Sequence, residues 1–366
     1  MSAATGYASV PSYAVVVPTV GRPSLGVCLE ALDAATADGP RPDRVVIVHD
    51  RPDPDGSVPP VEVPERLREV TVVVPGAGRG PAAARNAGMR EAGPAPWIVF
   101  LDDDVVPGPA WGRELARDLA SASRDTAAVT ARIDVPLPVR RRPTDWERNT
   151  AGLATARWIT ADMAFRRTAL EASGGFDERF RRAFREDADL ALRLLDGGWT
   201  LASGTRRTTH PVRPAGRWIS VRVQEGNADD VLMTRLHGRD WWHRAGAPRG
   251  RLPRHLAVST AAGLTVGCAL SGRHRAAAVC GAAWLAGTTE FAAARIAPGP
   301  RTRSEVLTMA VTSLLIPPAA AWHWLRGHVA HRAVPRGTPA RGPAAAAVPV
   351  AVGPGSDGAT RAQVGS

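Results

Sequence analysis

The 366-residue chain contains no lysine: all 46 of its basic residues are arginine. With so much Ala, Gly and Pro, this reads as GC-rich coding and says little about mechanism. It does remove the lysine with which many nucleotidyltransferases hold phosphate. Cysteine is scarce too. Cys28, Cys268 and Cys280 make no even disulfide set and lack metal-ligand spacing, which points to a reducing compartment. No secretory leader is expected in Met1–Pro11, which is short, uncharged and interrupted by proline. The dinucleotide fingerprint is also missing. Gly76-x-Gly78-x-Gly80 has the wrong spacing, so a nicotinamide cofactor is discounted.

Acidic residues are missing from the rear of the chain. From Leu232 onward 16 Arg face only Asp240, Glu290, Glu305 and Asp357, whereas the first 231 residues carry 30 Arg and 31 acids. A near-neutral front argues against a nucleic-acid enzyme, and a basic rear favours contact with anionic lipid. Apolar residues make up 44% of the chain, enough for a real core.

Tyr13–Thr19, Arg44–Asp50, Val70–Val74 and Trp97–Leu101 are apolar, β-branched runs that read as buried strands. Helical spacing follows over Leu25–Ala35 and Ala110–Leu119. Pro81 suits the first position of a helix that carries Arg85 and Asn86 in its early turns. The pattern predicts an α/β fold with a mostly parallel sheet and crossover helices, whose ligand edge lies beyond the strand ends. Asp102-Asp103-Asp104 falls at such an end. Three carboxylates there suit a hard divalent ion carrying phosphates, or an acidic turn that caps the next helix.

Further along, Ala127–Val135 reads as a strand and Arg140–Pro143 as a solvated loop. Trp158–Arg167 and Gly174–Phe180 read as loop-strand-loop, with Trp158 and Phe176 facing either a sugar ring or the core. Arg185–Leu195 opens a helix, with Glu186 and Asp187 in its first turn and Asp189 paired with Arg193 on the surface. Trp199–Ser203 reads as a short strand, followed by a lone histidine, His210.

The composition changes at Arg244. Leu256–Leu270, Ala276–Ala294 and Val306–Leu325 are weakly to moderately apolar. Only the last is long enough to cross a bilayer comfortably, which takes about 20 residues. Arginine flanks these segments, and Trp322 and Trp324 sit near one end as interfacial anchors do, which favours membrane contact over the other reading, a soluble helical subdomain. The expected organisation is a tail over 1–12, an α/β domain over 13–243, a basic linker over 244–254, a hydrophobic helical region over 255–330 and a disordered tail over 331–366.

These features occur in an order that resembles the inverting glycosyltransferases of family 2, with the GT-A fold. The residues that carry the resemblance are Val15–Thr19, Val46–Asp50, Gly80–Gly88, Phe100–Asp104, Gly174–Glu178 and Arg185–Leu190, a little over half the chain. The resemblance implies a single mixed, mostly parallel sheet flanked by helices, with the C-terminal helical region added. It places Pro18, Thr19, Asp50, Arg85, Asp102 and Asp103 at the nucleotide donor. Asp104, with His210, would hold a divalent metal (Mg²⁺ or Mn²⁺). Asp187 would be the general base, kept ionised by the helix dipole, with Glu186 beside it. His49 stands where the family often has a second Asp. The implied partners are a nucleotide-sugar donor, a glycan or lipid-linked acceptor and the cytoplasmic face of the cell membrane, with no nucleic acid. Two other functions fit parts of the pattern: nucleotidyl transfer to sugar phosphates, and a non-catalytic scaffold that binds a sugar nucleotide.

Overall fold

Residues Tyr13–Thr19 form β1, in which Tyr13, Val15 and Val17 point to one face of a sheet and Ala14 and Val16 to the other. All seven residues are buried, because helices cover both faces. In the computed structural model, which describes residues 11–51 and 57–337, the remaining strands are β2 (Arg44–His49), β3 (Thr71–Pro75), β4 (Trp97–Leu101), β5 (Val106–Pro107), β6 (Thr126–Asp134), β7 (Asp162–Arg166) and β8 (Thr200–Thr209). They make one mixed sheet in the order β3-β2-β1-β4-β7-β6-β8-β5. The first four run parallel, β7 is antiparallel to both β4 and β6, and β8 is parallel to β6.

The longer helices are α1 (Ser24–Ala35), α2 (Pro81–Glu91), α3 (Trp111–Ser121), α4 (Asp145–Ala151), α5 (Arg167–Ser173), α6 (Glu186–Asp196), α7 (Gly226–His237), α8 (Leu252–Leu270), α9 (His274–Ile296) and α10 (Arg303–Ala330). One core layer packs α1 and α3 on the Val15 face; the other packs α2 and α6 on the Val16 face. Gly88 lets α2 press onto the sheet, since a Cβ there would lie 2.2 Å from Val16 Cγ1. Pro81 opens α2 as expected, and Gly80 caps it.

Chain order reverses between β1 and β4, which are neighbours although β2 and β3 intervene in sequence. Such a switch point leaves a crevice beyond the strand ends. Thr19 and Asp102 sit at its lips.

Three local expectations are corrected. The strand after Trp199 is ten residues long, because it pairs along all of β6. A helix, α5, follows β7 where a loop was expected. Asp189 and Arg193 do pair, but in the interior: Asp189 is fully buried between Arg193 and His237.

Of the helices that close the chain, α10 is the one long and apolar enough to cross a membrane by length and composition among the described residues. The tail expected over 1–12 lies outside the described residues up to 10, and the tail over 331–366 lies outside them from 338 on.

Candidate active site

The three consecutive aspartates after β4 take three different partners. Asp103 is buried; it accepts from Thr19 Oγ1 at 2.6 Å and from Arg22 Nη1 at 2.7 Å, and so ties the loop after β1 to the loop after β4. Asp102 is part-exposed and accepts from Arg85 Nη2 at 2.8 Å. Asp104 is buried, with Arg213 Nε 2.8 Å from its Oδ2 and His210 Nε2 3.7 Å from its Oδ1. Burial, then Asp102, pushes the Asp104 carboxyl above the usual carboxylate range, against the pull of His210 and Arg213.

Beyond β3 the Gly-rich loop folds back onto Asp50, whose Oδ2 accepts from the Gly80 amide at 2.8 Å. Gly80 adopts φ +94°, and a Cβ there would lie 2.2 Å from the Arg181 carbonyl oxygen. Asp50 is raised by burial, while the amides of Gly80, Gly78 and Arg79 pull it down. Next to it opens a cavity of ≈ 670 Å³ bordered by Val20, Asp50, Arg79 and Arg181. Arg85 lies one turn into α2, only 1% exposed, and reaches Glu186 Oε1 at 2.7 Å as well as Asp102. It therefore clamps β4 to α6 instead of standing free for a ligand. Asn86 exchanges two hydrogen bonds with the Phe176 backbone, each 2.8 Å.

The start of α6 is unusual. Arg185 precedes it in the left-handed region (φ 78°), a conformation that costs a non-glycine residue about 1–3 kcal/mol. Its guanidinium lies 4.2 Å from the Phe184 ring centroid and 4.7 Å from that of Trp241, and its Nε donates to Asp230 at 2.8 Å. This sandwich fixes the strained turn that turns the first helical residues into the crevice. Glu186 is buried with Oε2 unpaired, and its carboxyl is pushed up to about 7 by burial and by Asp187, against Arg85. Asp187 keeps an edge open to the crevice and accepts from the Ala188 amide at 2.7 Å. At Asp187 burial outweighs the Ala188 amide and Arg85 and raises the pKa, opposite in sign to the pull of the helix dipole.

All ten residues expected at the site line one cavity of ≈ 880 Å³: Pro18, Thr19, Asp50, Arg85, Asp102, Asp103, Asp104, Glu186, Asp187 and His210. Phe176 is not among them. Its ring stacks edge-on with Phe100 and Phe165 in the core. Trp158 packs part-buried against that same core. Sequence reasoning missed Arg22, Arg185 and Arg213. Arg213 follows His210 by three residues between two prolines, and only the return of β8 beside β6 brings it to Asp104.

Among the described residues no three His, Cys, Asp or Glu side chains are grouped to hold a metal ion by themselves. The donor set fits an ion whose other ligands are phosphates and water. Asp104 Oδ2 is buried and makes no hydrogen bond, its near neighbour being the ion-paired Arg213 Nε at 2.8 Å. His210 Nδ1 lies 3.2 Å from the Pro211 carbonyl, and its Nε2 faces Asp104.

Residues 14–182 match the family model described as glycosyl transferase family 2. Similar solved structures include the mannosyltransferase PcManGT from Pyrobaculum calidifontis in complex with GDP-Man and Mn2+, at 20% identity, covering 86% of this chain and 87% of that one, with a TM-score of 0.49. GalNAc-T7 with UDP, GalNAc and Mn2+ is 14% identical, with 66% and 55% covered and a TM-score of 0.44. S. aureus TarS is 15% identical, with 63% and 41% covered and a TM-score of 0.35. The chain thus spans about half the length of the last two. Comparison with the curated proteins gives no match. The segment 14–182 is a glycosyl transferase family 2 domain, and the chain that carries it is a glycosyltransferase.

Proposed function

We propose that this glycosyltransferase moves a sugar from a nucleotide-sugar donor to an acceptor hydroxyl with inversion, and that a divalent ion accompanies the donor. The observation that carries the reading is the meeting of Asp104, Arg213 and Asp187 in one cavity at the switch point of the sheet. Cation-holding groups stand beside the β4 end, and a single carboxylate stands at the α6 start. Asp102 and Asp103 hold the donor-side loops through Arg85, Thr19 and Arg22. Asp50 shapes the pocket beside the Gly-rich loop that would receive the base.

Mg²⁺ or Mn²⁺, bound by Asp104 with His210 beside it, would stabilise the charge growing on the leaving nucleoside diphosphate. Arg213 is half exposed and neutralises Asp104. It is free to turn toward a diphosphate and add a second positive charge. Inversion needs one in-line attack, with a base to take the acceptor proton. Asp187 supplies that base, and its raised pKa makes it a stronger proton acceptor than a solvated carboxylate. Glu186 does not compete, since its carboxyl is held by Arg85. The acceptor is read as lipid-linked or part of an envelope glycan, at the cytoplasmic membrane face, because the rear of the chain is apolar and rich in arginine.

The test is a panel of sugar nucleotides with Mn²⁺ and membrane lipid extract, scored for release of nucleoside diphosphate. Chelator and Asp104→Asn should each abolish release. Full activity in excess chelator would remove the ion from the reading, and pyrophosphate released from a nucleoside triphosphate would replace it with nucleotidyl transfer.

A further inference from the structure

We propose that the α8–α9 hairpin, and not the longer and more apolar α10, is the part of this chain that crosses the bilayer, as two antiparallel spans. The inference rests on the membrane placement stated under the proposed function.

The two elements differ in what already covers them. Helix α10 is lashed to the catalytic domain along its length. Near its start, Glu305 accepts from the Asp145 amide at 3.0 Å, and Arg295 at the end of α9 bridges the Asp145 carboxylate at 2.7 Å to Thr312 and Ser313 at 2.8 and 3.0 Å. Near its end, Gly327 lies so close to α7 that a Cβ would fall 2.7 Å from Ala228 Cα. Just past the helix, Arg235 donates to the Arg332 carbonyl at 3.2 Å. Met309, Thr312, Ser313, Ile316, Ala320 and Gly327 form the buried stripe between these ties. From Glu305 to Gly327 the helix rises about 33 Å, a full membrane thickness, against water-soluble structure. For α10 to cross, the catalytic domain would have to enter the lipid.

The hairpin packs on α10 toward its base, where Phe291 and Arg295 of α9 are buried, and has no such cover toward its tip. In α8 only His255 is buried, and Leu264, Val266 and Leu270 are exposed; Val279 and Leu285 are exposed on α9. No charged residue occurs in 255–272 or 276–289. A projection of that composition in water is an unpartnered apolar surface. Its own contact uses small residues: a Cβ on Gly287 would lie 2.6 Å from Val258 Cγ2, and one on Gly281 would lie 3.4 Å from Thr265 Cγ2. Close packing through small side chains is how helices associate where lipid surrounds them.

Charge marks both ends. Arg251, Arg254 and Glu290 gather at the base, and Arg273, His274 and Arg275 at the tip. From Arg254 to Leu270, where α8 ends, the rise is about 24 Å, against roughly 30 Å of hydrocarbon. Arg275 to Glu290 is about 22 Å, and side chains stretched to each interface make up the difference. Arginine at both ends suits anionic headgroups on both faces.

The test uses full-length protein with Cys268→Ala and Cys280→Ala, leaving only the buried Cys28. Ser271→Cys marks the tip, Ala120→Cys the catalytic domain and Ala333→Cys the segment after α10; all three positions are exposed. Each variant is reconstituted in phosphatidylethanolamine–phosphatidylglycerol vesicles and treated with a membrane-impermeant maleimide, added outside or trapped inside. The expected result is that Ala120→Cys and Ala333→Cys react from the same side and Ser271→Cys only from the other. Reaction of Ser271→Cys on the catalytic side, or from neither side, overturns the hairpin. Reaction of Ala333→Cys opposite Ala120→Cys shows that α10 crosses and overturns it too. A soluble oligomer that does not float with vesicles removes the membrane placement itself.

Discussion

Arg85→Met is the most informative perturbation of the buried network. Among the described residues Arg85 is the only cation bonded to Glu186, whose Oε2 lacks a hydrogen-bond partner there, and it also holds Asp102 across the crevice. Removing one partner of a buried ion pair costs about 3–5 kcal/mol, because the other charge stays behind. At roughly 2–4 °C per kcal/mol for a domain of this size, the melting temperature should fall by roughly 6–20 °C. The loss should depend on pH. With Arg85 present, Glu186 is raised from 4.5 to about 7; without it the carboxyl rises further. A folded acid with a raised pKa binds more protons than its unfolded form, so stability declines as pH rises from the unfolded value through the folded one. The variant should therefore be hurt more at pH 8.5 than at pH 6. Adding Glu186→Gln to Arg85→Met should restore about 0.5–3 kcal/mol of the loss. Thermal unfolding of the wild type, both single variants and the double variant at the two pH values is the assay. An Arg85→Met variant within about 1 kcal/mol of wild type at both pH values would refute the clamp.

Asp187→Asn should lower the transfer rate by about 10²–10⁴-fold while leaving the melting temperature unchanged or higher, since an enclosed charge is removed; equal loss of stability and rate would make Asp187 structural. Gly80→Ala should cost about 1–3 kcal/mol, because its Cβ meets the Arg181 carbonyl, and calorimetry should show weaker donor binding through Asp50; unchanged affinity would detach the loop from the donor. Asp189→Asn leaves Arg193 buried beside an uncharged group, and should destabilise by about 3–5 kcal/mol. The Asp189 carboxyl is held below its usual range by Arg193 and His237 despite burial, so its contribution is present above its unfolded pKa and lost as pH falls below it. Acid titration of the variant should lack that phase.

Much of the fold was legible because its signals are local. The apolar runs of β1 to β4 and Pro81 at the head of α2 each follow from spacing or turn chemistry within a few residues. The length of β8 was not legible, since its second half is a run of Thr and Arg that becomes a strand only by pairing with β6. Helix α5, with Arg167 at its first position and no side-chain cap, had no start signal to read.

By itself the sequence determined which residues stand at the strand ends and helix starts. Only the tertiary structure decided what each of them does there. Thr19 meets Asp103, Arg85 meets Glu186 and Arg213 meets Asp104 across about 80 to 110 residues of chain, distances over which periodicity carries no information. Protonation followed the same rule. A first-turn carboxylate is lowered by the helix dipole in isolation, but Asp187 and Glu186 are raised, because burial depends on everything packed around them. Hydropathy likewise singles out α10, while the structure buries one stripe of that helix against the rest of the domain and leaves most of α8 and α9 uncovered.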